Sequence, residues 1–341
     1  MTALQELAAA FSKVAWEAPR RATAALIRVT TVLLLAPLLM MAAVPAGEGA
    51  PPQEPADRPG GPEPEEPADE DPAGVYAHAL ALEESGRPEE SEPLYRRAAE
   101  AGHPAAANNL GLLHDGRGDR DEAEGWYRRG AQGGSVDAAY NLALLLQERG
   151  NGAEAEEWYR RAAESGDSAA AYRLATLLEE RDEREDAEGW YRKAAEAGDA
   201  AGANGLGLLL DQRGLAREAE TWYRRAAEGG DVDGAYNLAL GLKRRGALEE
   251  ANAWFRRAAE AGDGESAYEL AVLLEAQGQQ GEAEGWYARA AEAGHVDSAY
   301  YLGMLREEEG AHDQAEAWYR RAAEAGHSAA ARRLGIEEAT A

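Results

Sequence analysis

From residue 73 onward, apolar and polar positions recur with a fixed period of 32 residues. The clearest beat is Leu94, Trp126, Trp158, Trp190, Trp222, Trp254, Trp286 and Trp318. Each is followed by an aromatic residue: Tyr95, Tyr127, Tyr159, Tyr191, Tyr223, Phe255, Tyr287 and Tyr319. A constant period of roughly 20–50 residues marks a repeat architecture. Inside each period the apolar residues fall on two helical faces. In residues 136–166, Ala139, Leu142, Ala143 and Leu145 share a face of a first helix, and Ala155, Trp158, Tyr159, Ala162 and Ala163 share a face of a second. Glycine punctuates both turns. Gly102, Gly134 and their equivalents stand between units, and Gly86, Gly118 and their equivalents stand inside them, with Asp182 the one exception. Glycine just past a helix end supplies the left-handed residue that closes it. The pattern predicts an all-α solenoid over residues 73–341, built from about eight two-helix repeats and ended by a capping helix near Ser328–Ala339.

Small residues set the packing. Ala107, Ala139, Ala171 and Ala203 open one register of the first helices, and Gly111, Ala143, Ala175 and Gly207 open another. Helices approach closely where side chains are small. On the second helices, Glu124–Arg128, Glu156–Arg160, Glu188–Arg192, Glu220–Arg224 and Glu316–Arg320 are spaced i,i+4 and predict a solvated face. The ends depart from the pattern. His78 stands where later units have Leu110 or Leu142, and the last helix carries Arg332, Arg333, Glu337 and Glu338. Polar terminal units let a solenoid stop without exposing its core.

The N-terminal 72 residues belong to another regime. In residues 1–46, Leu4, Leu7, Phe11 and Val14 recur at helical spacing, followed by Arg20, Arg21 and Arg28 and by an uncharged apolar run over 29–44. That run reaches about 24 Å as a helix, against a hydrocarbon core of about 30 Å, and neighbouring residues can extend it. It reads as a single-pass membrane anchor, with two alternatives: a cleaved signal that releases the protein, or a segment of a cytoplasmic one. The basic flank precedes the run, so an anchor would put the repeats outside the cytoplasm. Residues 47–72 are rich in Pro, Glu, Asp, Gly and Ala and read as an extended acidic linker.

Composition removes several functions. The chain of 341 residues has 35 basic against 63 acidic side chains, a net charge of −28, which argues against nucleic-acid binding. There is no cysteine, hence no disulfide, Cys-based metal site or Cys nucleophile. No His, Asp, Glu or Ser falls into a catalytic or metal-binding arrangement, and no cofactor is expected. His103, His295 and His327 share a turn register in which they cap or staple the next helix.

The two-helix unit resembles the tetratricopeptide repeat and its Sel-one-like relatives. Leu110-Gly111 with Ala123 and Tyr127 carries the first likeness; the phrase Trp318–His327, leading into Ala-Ala-x-x-Leu-Gly, carries the second. The resemblance implies a right-handed superhelix whose first helices line a concave groove. It also implies a non-enzymatic scaffold for protein–protein interaction. Carried over by position, the groove residues are Asn109, Tyr140, Asn141, Tyr172, Arg173, Tyr236, Asn237, Tyr268 and Tyr300. One turn further on come Asp115, Gln147, Glu179, Asp211, Lys243, Glu275 and Glu307. The basic residues that would clamp a carboxylate are mostly missing, so the groove suits an extended protein segment bearing Arg or Lys. Three other readings stay open. The tyrosines can serve inter-repeat packing, the opposite convex face can serve a regulatory or assembly adaptor, or the array can be an acidic surface spacer without a ligand.

Overall fold

A computed structural model describes residues 71–336; the expected apolar segment 29–44 and the linker up to residue 70 lie outside the described residues. The chain divides into two compact units, Met1–Ser165 and Gly166–Ala341. In the first, the described residues form α1 (Pro72–Glu84), α2 (Pro88–Glu100), α3 (Pro104–Gly116), α4 (Arg120–Gln132), α5 (Val136–Glu148) and α6 (Gly152–Glu164). The second holds α7 (Ser168–Glu180), α8 (Arg184–Glu196), α9 (Ala200–Gln212), α10 (Ala216–Glu228), α11 (Val232–Arg244) and α12 (Leu248–Glu260). It continues with α13 (Gly264–Ala276), α14 (Gln280–Glu292), α15 (Val296–Glu308), α16 (His312–Glu324) and the short α17 (Ser328–Arg333). The architecture is therefore eight two-helix repeats and a terminal helix. Odd-numbered helices are called A helices and even-numbered ones B helices below.

A and B helices start by different physics. Every A helix in the described residues opens on a side chain that accepts a backbone N–H of its first turn: Asp71, His103, Ser135, Asp167, Asp199, Asp231, Asp263, His295 and His327. The three expected histidine caps are formed, each through Nδ1. B helices have no such cap. They carry acids in the first turn, as Glu249 and Glu250 do in α12, and a cation in the last, such as Arg257. Both ends thus complement the helix dipole. The turn glycines lie at φ between +76° and +99°, and Asp182 takes the same left-handed geometry at +64°.

The core of each repeat is a sandwich of small A-helix residues around one large B-helix ring. Tyr95, Tyr127, Tyr159, Tyr191, Tyr223, Phe255, Tyr287 and Tyr319 are all buried, as are the A-helix leucines Leu110, Leu142, Leu174, Leu206, Leu238, Leu270 and Leu302. At Gly207 a Cβ would come within 2.6 Å of the Tyr223 ring, so the ring lies closer there than a Cβ allows without a shift; the equivalent Ala143 and Ala175 are fully buried. Within each unit the A helices of consecutive repeats also touch directly, α3 with α5 and α9 with both α7 and α11.

One expectation needs correction. The terminal helix ends at Arg333, well before Ala339, because Gly335 turns left-handed at φ +68° and Ile336 N–H donates back to the Ala331 carbonyl. The expected Arg332 and Arg333 are exposed on it, and Glu337 and Glu338 lie outside the described residues. Among the described residues no helix is long and apolar enough to cross a membrane.

Candidate functional site

The Trp-aromatic beat separates into two roles. Neighbouring residues on a helix sit about 100° apart, so when the second ring points inward the Trp is left at the B-helix edge. Trp158 and Trp286 are buried there; Trp126, Trp190, Trp222, Trp254 and Trp318 are half-buried. Each carries the cation three residues on: Arg129, Arg161, Lys193, Arg225, Arg257, Arg289 and Arg321 lie 3.8–5.6 Å from the ring centroids. The expected Glu–Arg pairs form beside them, and the acid often binds a second cation from the next A helix. Glu124 meets Arg128 at 2.6 Å and Arg149 at 2.7 Å, and Glu92 meets Arg96 at 3.2 Å and Arg117 at 2.5 Å. The Arg117 guanidinium holds the Glu92 carboxyl below the usual carboxylate range. The B-helix face is thus internally paired, although each half-exposed ion pair contributes at most about 1 kcal/mol.

In four repeats the residue of the register one turn further on also accepts from a B-helix phenol. Buried phenols need acceptors. Tyr159 donates to Gln147 at 2.8 Å, Tyr191 to Glu179 at 2.7 Å, Tyr287 to Glu275 at 2.9 Å and Tyr319 to Glu307 at 2.7 Å. Tyr301 also donates to Glu275, at 2.6 Å, and burial pushes its pKa up to about 12. Lys243 occupies this register opposite Phe255, the one ring in the series without a hydroxyl, and pairs with Glu269 at 2.6 Å instead.

The A-helix residues fall on both units. In the first unit Asn109 is half-buried on α3, while Tyr140 and Asn141 lie on α5. Tyr140 is only 5% exposed, its ring edge-on to Tyr159 at 6.0 Å. Asn141 donates to Asn108 of the preceding A helix at 2.9 Å, which joins the two repeats. In the second unit Tyr172, Tyr236, Tyr268 and Tyr300 are half-buried on α7, α11, α13 and α15. Each leans on its own B-helix ring, 5.6–6.0 Å away, and keeps an outer edge in solvent. His295 stacks on Tyr268 at 4.2 Å and His327 on Tyr300 at 4.3 Å. Arg173 is exposed beside Tyr172, and Asn237 donates to Asn204 at 2.9 Å. The tyrosines therefore serve both packing and surface.

One row escaped the sequence reading. Four residues past the Tyr/Asn register stand Leu112 and Leu144 in the first unit and Leu208, Leu240, Val272 and Met304 in the second. Leu208 is 40% exposed and the others are half-buried. Their i,i+4 spacing from Asn204, Tyr236, Tyr268 and Tyr300 was the available signal.

The comparisons with known proteins agree with this geometry. Tetratricopeptide-repeat models match residues 76–138 and 136–165, and the Sel1-repeat model matches residues 168–199, 202–231, 232–263, 264–295 and 296–327. The chain is a tetratricopeptide and Sel1-like repeat protein. Its structure is similar to that of c5321, a protective antigen present in uropathogenic Escherichia coli strains that displays an SLR fold, at 30% identity and a TM-score of 0.67. The match covers 78% of this chain and 64% of that one, so this chain spans slightly less than two thirds of c5321. A Sel1 repeat protein from Oxalobacter formigenes has the same fold, at 24% identity and a TM-score of 0.62, with 78% and 87% of the two chains covered. No curated protein matches the chain. Tetratricopeptide and Sel1 repeats are typically non-catalytic scaffolds that bind protein partners.

Proposed function

We propose that the protein is a non-enzymatic scaffold whose A-helix face captures an extended protein segment bearing Lys or Arg. The observation that supports this reading is the contrast between faces. On the B helices the Trp rings already hold cations of the same chain and the Glu–Arg pairs are closed. On α13 and α15, His295 and His327 stack on Tyr268 and Tyr300 and lie 3.6 and 3.5 Å from exposed Glu265 and Asp297, but on α11, where Asp263 stands in place of the histidine, half-exposed Tyr236 lies beside exposed Asp233. A guanidinium or ammonium group gains both charge attraction and an aromatic face there. The same contrast makes a B-face adaptor the weaker reading. The test is pull-down from the parent cell with Tyr236→Ala beside the B-face control Arg256→Ala. Loss of the partner in the first alone supports the A face, and loss in the second alone moves the site. Retention of no specific partner favours an acidic spacer.

The protein would work outside the cytoplasm, tethered through residues 29–44 or released after their removal. The basic-then-apolar order of the N-terminal segment supports this reading. Fractionation of the full chain beside a version starting at Gly47 tests it, and equal recovery of both in the cytosol overturns it.

A further inference from the structure

The three histidine caps do more than start helices. His103, His295 and His327 each accept a first-turn N–H through Nδ1 and lay the imidazole against the tyrosine of the preceding A helix. The ring centroids of His103 and Tyr76, His295 and Tyr268, and His327 and Tyr300 are 4.4, 4.2 and 4.3 Å apart, with planes within 27° of parallel. Because Nδ1 accepts, the outer nitrogen Nε2 bears the ring proton. In the last two repeats Nε2 lies near a carboxylate three residues before the tyrosine, Glu265 at 3.6 Å and Asp297 at 3.5 Å. A flat nitrogen donor between a phenol face and an acid has the placement of a cation recognised by an aromatic ring. The chain thus fills two phenol–acid sites with its own side chains.

A third such site has no occupant among the described residues. Tyr236 on α11 has Asp233 three residues before it; Asp233 is exposed and Tyr236 half-exposed. The cap that follows is Asp263, whose carboxylate takes the Ser266 N–H at 2.7 Å and brings no ring to the phenol. Among the described residues Phe255 is the ring beside Tyr236, 6.0 Å away and tilted by 59°, no cation lies over the phenol, and Asp233 makes no ion pair. The other unstacked tyrosines of this register lack one half of the site. Tyr140 follows Asp137 but is only 5% exposed, and Tyr172 has Ala169 in the acid position. The field at Tyr236 favours a cation: burial first, and then the carboxylates of Glu269, Glu265 and Asp263, push its phenol up. Lys243 holds Glu269 at 2.6 Å and His295 faces Glu265, which leaves Asp233 to pair with a guest.

We infer that the Tyr236 face and Asp233 form a binding site for an arginine side chain of another protein, its guanidinium seated as the imidazoles of His295 and His327 are seated in the later repeats. The inference rests on the proposed capture of a basic segment at the A-helix face, and it selects arginine over lysine and this repeat over the others. A guanidinium is flat, so it lies against the ring while its N–H edge meets the acid, and it is charged at every physiological pH. An ammonium is a compact, strongly hydrated charge with no flat face to offer.

The experiment is NMR titration of the full chain, carrying isotopically ring-labelled tyrosine, with the blocked peptides Gly-Arg-Gly, Gly-Lys-Gly and Gly-citrulline-Gly. Tyr236→Phe identifies the reporting resonance, and citrulline keeps the planar shape without the charge. The Arg peptide should shift the Tyr236 resonance with an apparent affinity several-fold better than the Lys peptide, and the citrulline peptide should leave it unmoved. Asp263→His should close the site from within and abolish the Tyr236 response. Its imidazole has a partner waiting, since Ser266 Oγ is buried without a hydrogen bond where Ser298 Oγ meets His295 Nδ1 at 2.9 Å. His295→Asp should open the equivalent site, so that Tyr268 responds to the Arg peptide as Tyr236 does. Both exchanges install a cap that other A helices of this chain already use, and the buried Tyr223 and Tyr287 resonances check that the packing is kept. Equal response to the Lys peptide, a Tyr236 response that survives Asp263→His, or a silent Tyr268 in His295→Asp overturns the arginine site while leaving capture of a basic segment at the A face standing. No response of any A-helix tyrosine to either basic peptide overturns both.

Discussion

Phe255 and Lys243 offer a direct test of how the repeats are held. In three other repeats of the second unit a buried tyrosine, Tyr191, Tyr287 or Tyr319, donates to an acid twelve residues earlier, at 2.7–2.9 Å. At this one repeat both partners differ: the ring has no hydroxyl and the A-helix residue is a cation. Phe255→Tyr alone places a phenol beside an ammonium that can donate to its oxygen but cannot accept its proton. A buried hydroxyl proton left without an acceptor costs about 1–3 kcal/mol at most. Lys243→Glu alone breaks the pair with Glu269, a part-exposed bridge worth about 1 kcal/mol or less, and sets two carboxylates side by side. Together the substitutions recreate the Tyr–Glu bond made by Tyr191, Tyr287 and Tyr319. A hydrogen bond to a charged group contributes about 1.5–3 kcal/mol, so the coupling should be favourable by that amount. Stability in a repeat array is local, so the assay is native-state hydrogen exchange of the α11 and α12 amides in the four proteins of the cycle. Additivity within about 0.5 kcal/mol would refute the reasoning, because the Tyr–acid bond would then contribute nothing to the packing.

Three further outcomes follow from the same contacts. Asp182→Gly should stabilise its repeat by a few tenths to about 1 kcal/mol, since the left-handed φ strains a residue with a Cβ and the exposed Arg184 bridge is weak; denaturant unfolding that shows a loss would contradict this. Asp263→Ala should destabilise α13 by about 1 kcal/mol, because the 2.7 Å bond from the Ser266 N–H is lost, and faster exchange of its first-turn amides reports it. Alkaline pH should unfold the protein. Burial raises the phenols of Tyr127, Tyr191, Tyr223, Tyr287 and Tyr319 above the unfolded value of about 10. The stability they add is complete below pH of about 10 and declines above it as the unfolded chain loses protons first. A thermal midpoint flat to pH 12 would rule this out.

The helix pairs, the turns and the histidine caps were legible because each depends on local chemistry that repeats: a glycine past a helix end, a side-chain acceptor before a helix start. Asp182 fits the same logic, since its position in the period required a left-handed residue whatever its identity. The faces were less legible. A period of 32 assigns Trp and the next aromatic the same beat, and only packing decides that the second points inward and the first lies under an Arg or Lys. The acids of the groove register looked solvent-facing until Tyr191, Tyr287 and Tyr319 claimed them. The coincidence of Lys243 with Phe255 was the sequence's own hint of that bond. The apolar row was hidden because Leu240 lies between the buried Leu238 and Leu242, so all three read as core. At the chain end, Gly335 shares a register with Gly303, yet Gly303 packs helically against Tyr319 of the following B helix, and no described B helix follows Gly335.

The central claim is that a partner lies on the A helices and not on the B helices. It is tested most directly by site-specific photo-crosslinking of the full chain to a bound basic segment, with the photoreactive side chain placed at Tyr268 or at Val272 on the A face, or at the exposed Ala253 on the B face. Crosslinks from Tyr268 and Val272 and none from Ala253 are the predicted result. Crosslinks confined to Ala253 would contradict it.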